Sequence, residues 1–201
     1  MNRTLDHYQH HAAHYDAAFA DHDTHDAITR LIAALPSPHP TILELGCGNG
    51  RDLAALAATG AQVEGVEGAP ALVSIAAHRS GRTIHQHDLL SPAPPPWQGR
   101  RYDALYAHHL LFHMPSPALP ALLARLGEWL VAGGLFYSCD PTGDNSEGEL
   151  PDGRHIALRR PQSLTRMMRV AGFTAVEQWR RPLAAPRRSQ GWLATIWRLT
   201  T

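Results

Sequence analysis

The sequence predicts an α/β fold: a seven-stranded, mostly parallel sheet with an antiparallel C-terminal strand and helices on both faces. Three observations carry this. Short apolar runs of strand length alternate with helical patterns from Thr41 onward, the signature of strand–helix–strand units. Gly46, Gly48 and Gly50 directly follow the run Thr41-Ile-Leu-Glu-Leu45 and lead into a helical pattern, so a strand ends in a turn of bare backbone. The last two apolar runs, 173–180 and 192–199, have no helix between them, and strands joined that way pair antiparallel.

Helices are expected over 5–20, where Tyr8, Ala12, Tyr15 and Phe19 recur at helical spacing, and over 25–35, stopped by Pro36-Ser-Pro38. Strand 41–45 is followed by helix 51–59, strand 62–66, helix 70–79 and strand 82–86. A proline-rich loop, Pro92 to Pro96, leads to strand 102–107. Helix 117–131 is expected to stop at Gly133-Gly134, before strand 135–139. Segment 141–153 reads as a polar loop after a strand end, where open α/β sheets bind ligands. Helix 161–171 ends at Gly172; strand 173–180, an irregular arm over 181–190 and strand 192–199 complete the chain.

A chain of 201 residues is most simply one domain with a full core. No apolar run is long enough to cross a bilayer and no signal-peptide pattern opens the chain, so a cytoplasmic protein without membrane contact is expected. Two cysteines, Cys47 and Cys139, argue for reduced thiols. All 18 basic residues are arginine, which excludes lysine Schiff-base chemistry. Residues 1–152 hold 8 Arg against 17 acids, and residues 153–201 hold 10 Arg against one acid, Glu177. Such asymmetry either marks an anionic partner or is neutralised within the fold. His7, His10, His11 and His14 have helical spacing but no cysteine or fixed acid beside them, so no metal is expected.

Five pieces stand in a telling order: Leu43-Glu-Leu-Gly-Cys-Gly-Asn-Gly50; Glu67, 21 residues after Gly46; Asp88-Leu89; Tyr102-Asp-Ala-Leu-Tyr106 with Leu111-Phe-His-Met-Pro115; and Leu130-Val-Ala-Gly-Gly134. On these the chain resembles the class I S-adenosylmethionine-dependent methyltransferases over residues 8–199. Within that class it is most similar to small bacterial enzymes of the small-molecule and tellurite type. The resemblance implies a Rossmann-like methyltransferase sheet in a single domain, 1–201. It comprises an N-terminal helical cap (1–38), a cofactor-binding core (39–140) and an acceptor side (141–201). The G-x-G-x-G spacing, with Arg51 where a dinucleotide fingerprint has its third glycine, also favours S-adenosylmethionine over NAD. The family's acid after strand two is here Glu67 rather than Asp, followed by Gly68 rather than Ser.

The resemblance assigns Glu67 to the ribose hydroxyls, Asp88 and the Leu89 backbone to adenine, and the backbone at Gly46 and Gly48 to the methionine tail. Glu44 serves the ammonium through the loop. Cys47, Gly68, Tyr15 and His108 complete the cofactor set, with Arg51 a partner for the cofactor carboxylate and Asp52 a helix cap. Methyl transfer by in-line displacement requires alignment and exclusion of water, and a base only when the nucleophile arrives protonated. His113 is the first candidate base and His109 the second. Tyr8, Arg154, His155, Trp179, Arg187, Arg188 and Trp192 are expected to build the acceptor pocket, suited to a small anionic or aromatic molecule. An RNA- or protein-modifying enzyme docking through the basic C-terminal segment is the alternative, with nucleic acid the less expected partner because no appended domain is present. Adenosylhomocysteine is the expected product, and a monomer or homodimer the expected state.

Overall fold

Thr41–Leu45 (β1) is buried over its last four residues, as a central strand covered on both faces must be. In the computed structural model, which describes residues 2–182 and 191–200, it stands in a sheet ordered β3-β2-β1-β4-β5-β9-β8. The other strands are β2 (Gln62–Glu67), β3 (Ile84–Gln86), β4 (Tyr102–His108), β5 (Leu130–Pro141), β8 (Phe173–Arg181) and β9 (Trp192–Leu199). The first five pair in parallel, and β9 runs antiparallel to both β5 and β8. The seven strands and the antiparallel terminal strand are therefore as expected.

Successive residues of each strand face opposite layers. Leu43, Leu45, Leu105 and Phe136 join one core with Leu122 and Leu126 of α5 (Leu119–Glu128) and Met168 of α6 (Pro161–Val170). Ile42, Tyr106, Leu135 and Tyr137 join the other with Ile28 and Leu31 of α2 (His25–Ala34) and Leu53 and Leu56 of α3 (Arg51–Ala58). The strands on α4 (Pro70–Ser80) are roofed by α1 (Arg3–Phe19), which lies across the sheet's carboxyl end. Asn2 caps α1, and non-helical angles at His11 kink it. No helix among the described residues is long and apolar enough to cross a membrane.

Two local expectations are corrected. Gly133-Gly134 does not stop a helix: α5 ends at Glu128, and the glycines lie inside β5. Tyr102 pairs with Leu130 but Ala104 with Leu135, so the residues between bulge out, turning at Gly133 (φ 72°). Segment 141–153 is no plain loop either, because β6 (Ser146–Glu149) forms a hairpin with β7 (His155–Leu158). The strand signal is hidden by four exposed residues, Ser-Glu-Gly-Glu.

The turn after β1 depends on Gly50, which caps α3 in the left-handed region (φ 77°). A Cβ there would lie 2.8 Å from the Ala76 backbone of α4. Gly50→Ala is expected to cost roughly 2–4 kcal/mol from backbone strain and overpacking together. Urea unfolding should show a lower midpoint with an unchanged slope; an unchanged midpoint would remove the close approach from the account of this turn.

Candidate active site

The site grows from one buried carboxylate. Glu67 ends β2, and its two oxygens accept from the backbone N–H groups of Gly48 (3.0 Å) and Ala69 (2.9 Å). It thus ties the turn after β1 to the start of α4. Burial pushes its pKa up, and the backbone N–H groups of Ala69, Gly48 and Gly68 oppose that shift. Each oxygen keeps a lone pair for a further donor.

Gly46, Gly48 and Gly68 present bare backbone to a cleft. Side chains of α1 lie against that backbone. A Cβ on Gly48 would meet the Tyr15 ring at 3.2 Å, and one on Gly68 would meet Leu5 at 2.6 Å. Asp88 and Leu89 stand on the wall, where Asp88 accepts from the Asn2 side-chain amide (3.2 Å) and from Leu90 N–H (2.9 Å). Among the described residues the wall carries two acids, Glu67 and Asp88, and no arginine. Its His87, His108, His109 and His113 all have their pKa lowered by burial, so they are neutral at physiological pH. Acceptors without cations suit a ligand rich in amino and hydroxyl donors and bearing positive charge. A diphosphate would find no basic partner on this wall.

Behind the turn lies a second acidic layer. Asp52 is buried and accepts from Thr24 Oγ1 (2.8 Å), Arg51 Nε (2.7 Å) and Tyr106 Oη (3.1 Å). It is therefore no helix cap; Gly50 holds that position. Arg51 also donates to the Phe19 carbonyl (2.8 Å) and does not line the cleft, so it serves the join between α1 and α3. Glu44 is buried with Oε2 unpartnered, and its pKa is raised well above the usual range by burial and by Asp52. An orphaned buried acid beneath the turn fits an ammonium group placed over it. Cys47 turns away from the cleft, its sulfur packed toward Gly65.

A second cavity, about 1470 Å³ of open space, adjoins the first. Tyr8, Tyr15 and His109 line both. Aromatic rings dominate the second: Tyr8, Tyr15, Phe19, Phe112 and Trp192. His109 is held at φ 62°, a strained conformation for a residue with a side chain, and its ring lies 3.9 Å from that of Trp192. Among the described residues the cavity's two arginines are already paired, Arg154 with Asp152 (2.7 Å) and Arg181 with Asp26 (2.8 Å). Two of the C-terminal arginines are thus balanced at the site by acids from the N-terminal portion. His22, His108 and His109 bring ring nitrogens within 4.8 Å of one another. Both nitrogens of His108 are engaged, Nε2 by Arg181 (3.0 Å) and Nδ1 by Tyr137 (3.1 Å). Both ring nitrogens of His108 thus already have protein partners, one of them a guanidinium.

Several expected acceptor residues are placed elsewhere. Trp179 is buried in the core against Tyr137 and donates to Asp26 (2.6 Å), because its position on β8 faces the α2 layer. His155 contributes its backbone rather than its ring: its carbonyl accepts from His113 (2.7 Å) and its N–H donates to Thr4 (2.9 Å). Arg187 and Arg188 lie outside the described residues. Of the N-terminal histidines, His7 and His11 stack with ring centroids 4.3 Å apart, and His10 and His11 each contact the carbonyl four residues back. Residues that the sequence did not single out include Asn2, His22, Asp140, Arg159 and Arg181. No local motif marks them, since each acts through a long-range contact.

The turn 110–114 that carries His113 is clamped from below. Asp140 accepts from Phe112 N–H (3.0 Å), and buried Arg159 donates to the carbonyls of Leu111 (2.8 Å) and Met114. Burial raises the Asp140 pKa to about 7.

The chain matches the family model described as a methyltransferase domain over residues 8–178, and it belongs to that family. The ubiquinone biosynthesis O-methyltransferase of Burkholderia pseudomallei is 29% identical over 155 residues, 70% of this chain and 67% of that protein. The enzyme of that name from Cereibacter sphaeroides is 29% identical over 180 residues, 76% and 71% of the two chains. Among solved structures, the 1,6-didemethyltoxoflavin-N1-methyltransferase of Burkholderia thailandensis, bound to 1,6-didemethyltoxoflavin and S-adenosylhomocysteine, superposes with a TM-score of 0.79 at 22% identity. It covers 99% of this chain and 88% of that one. The DhpI complex with SAH gives 0.73 at 24% identity, covering 98% and 95%. The protein is a class I methyltransferase that uses S-adenosylmethionine.

Two outcomes follow from the site. Calorimetry should show adenosylhomocysteine binding far more tightly than NAD, and Glu67→Ala should weaken it by ~2–3 kcal/mol; tighter NAD binding would contradict the acid-lined wall. The second concerns Asp140. Between its unfolded pKa, near 3.8, and about 7 the native state holds one more proton than the unfolded state. Stability conferred by the protonated acid is therefore lost as pH rises through that window. Asp140→Asn keeps an acceptor for Phe112 and removes the titration. Urea unfolding should favour the variant more at pH 8 than at pH 5; an equal difference at both would place the titration elsewhere.

Proposed function

We propose that the protein transfers a methyl group from S-adenosylmethionine to a small aromatic acceptor that is uncharged or weakly charged and carries a hydroxyl. The observation that carries this is the shared wall: an acid-lined cleft for a cationic donor opens, past Tyr8, Tyr15 and His109, into an aromatic cavity. The pairing of Arg154 and Arg181 with Asp152 and Asp26 supports an aromatic rather than a strongly anionic occupant. The O-methyltransferases to which the chain is 29% identical support a hydroxyl as the methylated group.

When bound, the donor supplies an electrophilic methyl on a sulfonium, which needs no further activation. The protein's residues hold and align. Glu67 and Asp88 accept from the donor's hydroxyl and amino groups, and Glu44 offsets its ammonium beneath the turn. Trp192 and Phe112 clamp the acceptor ring, and α1 excludes water from the junction. The neutral His22 and His109 face the acceptor without adding charge.

A metabolite screen following adenosylhomocysteine release should identify hydroxylated aromatics. With such an acceptor, Trp192→Ala should raise KM by about 10-fold, the loss of an aromatic contact worth ~0.5–1.5 kcal/mol beyond its buried area. Adenosylhomocysteine affinity should stay unchanged. A KM that does not move would take the acceptor off this cavity wall.

A further inference from the structure

Tyr8 belongs to a hydrogen-bonded chain whose polarity is fixed at both ends. One end is the backbone carbonyl of His155, which can only accept. His113 Nδ1 lies 2.7 Å from it and therefore carries a proton. Burial holds His113 neutral, with its pKa lowered to about 4, so Nε2 is bare. The Tyr8 hydroxyl, 2.9 Å from Nε2, must then be the donor. The other end is the guanidinium of Arg154, which can only donate; its Nη1 is 3.1 Å from the Tyr8 oxygen. Tyr8 thus has its proton committed to His113 and its oxygen polarised by a cation. That oxygen keeps one lone pair, and its residue stands on the wall common to both cavities.

We propose that Tyr8 and His113 form a proton relay for the acceptor hydroxyl, with Tyr8 touching the acceptor and His113 acting through it. This rests on the hydroxylated aromatic acceptor inferred above. As the acceptor oxygen forms its bond to the methyl carbon, the carbon–sulfur bond breaks and its electron pair stays on sulfur. The acceptor's O–H proton passes to the Tyr8 oxygen while the Tyr8 proton passes to His113 Nε2. Positive charge therefore leaves sulfur and arrives on the imidazole, and Tyr8 ends unchanged. The His155 carbonyl, which accepts from Nδ1–H, supports the imidazolium. The polarity of the chain permits this direction of transfer and no other. A hydroxyl paired to an imidazole whose second nitrogen is anchored is the arrangement that general-base catalysis of a weak acid requires. The groups facing His113 are Tyr8 from α1, Asp152 and Arg154 from the β6–β7 turn, and His155 at the start of β7. Among these Asp152 favours the imidazolium and Arg154 opposes it.

The test compares wild type, Tyr8→Phe and His113→Gln with two probe acceptors: catechol, which arrives protonated, and 4-nitrophenol at a pH where it is already an anion. Adenosylhomocysteine binding is measured first and should change less than about twofold, which also shows that the variants fold. On catechol kcat should fall on the order of 100-fold in both variants, while on the nitrophenolate it should fall less than about threefold. Wild-type kcat on catechol should be flat from about pH 5 to 8. In Tyr8→Phe it should rise about 10-fold per pH unit, following the acceptor's own ionisation. Equal losses on both acceptors with an unchanged pH profile would make Tyr8 a structural latch and overturn the relay, as would an unchanged kcat on catechol. Adenosylhomocysteine binding without methylation of either hydroxyl probe would overturn the relay and leave the methyl-donor reading standing. Absence of adenosylhomocysteine binding in the wild type would overturn that reading itself.

Discussion

A carboxylate buried at the end of a β-strand costs several kcal/mol unless donors surround it. Glu67 meets that demand with backbone N–H groups from two different loops, at Gly48 and Ala69. The electrostatic requirement of one side chain thereby sets the relative position of the β1 turn and the start of α4. The turn that offers the Gly48 N–H to it runs through left-handed backbone at Gly46, Gly48 and Gly50, which glycine adopts without strain. The bare backbone that results is the surface on which a methionine tail can lie. Beneath it Asp52 draws in Thr24, Arg51 and Tyr106, so α2, α3 and β4 are fastened to the same acidic layer.

The first helix is the structural element that makes one site of two cavities. Its anchors reach different parts of the sheet's carboxyl edge: Asn2 to Asp88, Gln9 to Ala71 N–H, Asp16 to Asn49 and Arg79, and Tyr8 to His113. None is individually strong where it is exposed. Together they hold Tyr8 and Tyr15 between the two cavities. The electrostatic division matches this geometry. The first cleft presents acids and neutral imidazoles, and the second presents rings, with Arg154 and Arg181 held in ion pairs. A positive donor and an aromatic acceptor would each find the environment that stabilises it, separated by the distance of one tyrosine.

The segment after β4 combines strain with support. His109 stands at positive φ, a cost of about 1–3 kcal/mol for a residue with a side chain. Such a conformation persists where its surroundings over-determine it. Here the His109 N–H donates to Cys139, Asp140 receives Phe112, and Arg159 holds two further carbonyls of the same turn. The outcome is that His109 and His113 are aimed at neighbouring parts of the cleft from a turn of only five residues between them and its end. Strain at the residue nearest the junction and charged clamps beneath it belong to a single arrangement, in which precise placement of two imidazoles is maintained at the expense of local stability.

The sequence by itself determined the sheet, mostly parallel with an antiparallel end, and the glycine turn and strand-end acids that line its carboxyl edge. Those features are written in contiguous signals: apolar runs of strand length, the glycine turn, and acids at strand ends such as Glu67 and Asp88. Their physics is local, because a strand end, a turn and a cap act within a few residues of one another. The hairpin β6–β7 was not legible, since four exposed residues carry no apolar alternation, and neither was the bulge at Gly133, where paired glycines read equally as a helix stop. The second cavity was decided only by the tertiary structure. Trp179 and Trp192 look alike in sequence, yet pairing on neighbouring strands sends one into the core and the other to the cavity wall. Tyr8, His113, Arg154 and the carbonyl of His155 come from three separated segments. What they can do depends on donors and acceptors meeting at 2.7–3.1 Å, a condition set by the packing of α1 on the sheet and by no pattern along the chain.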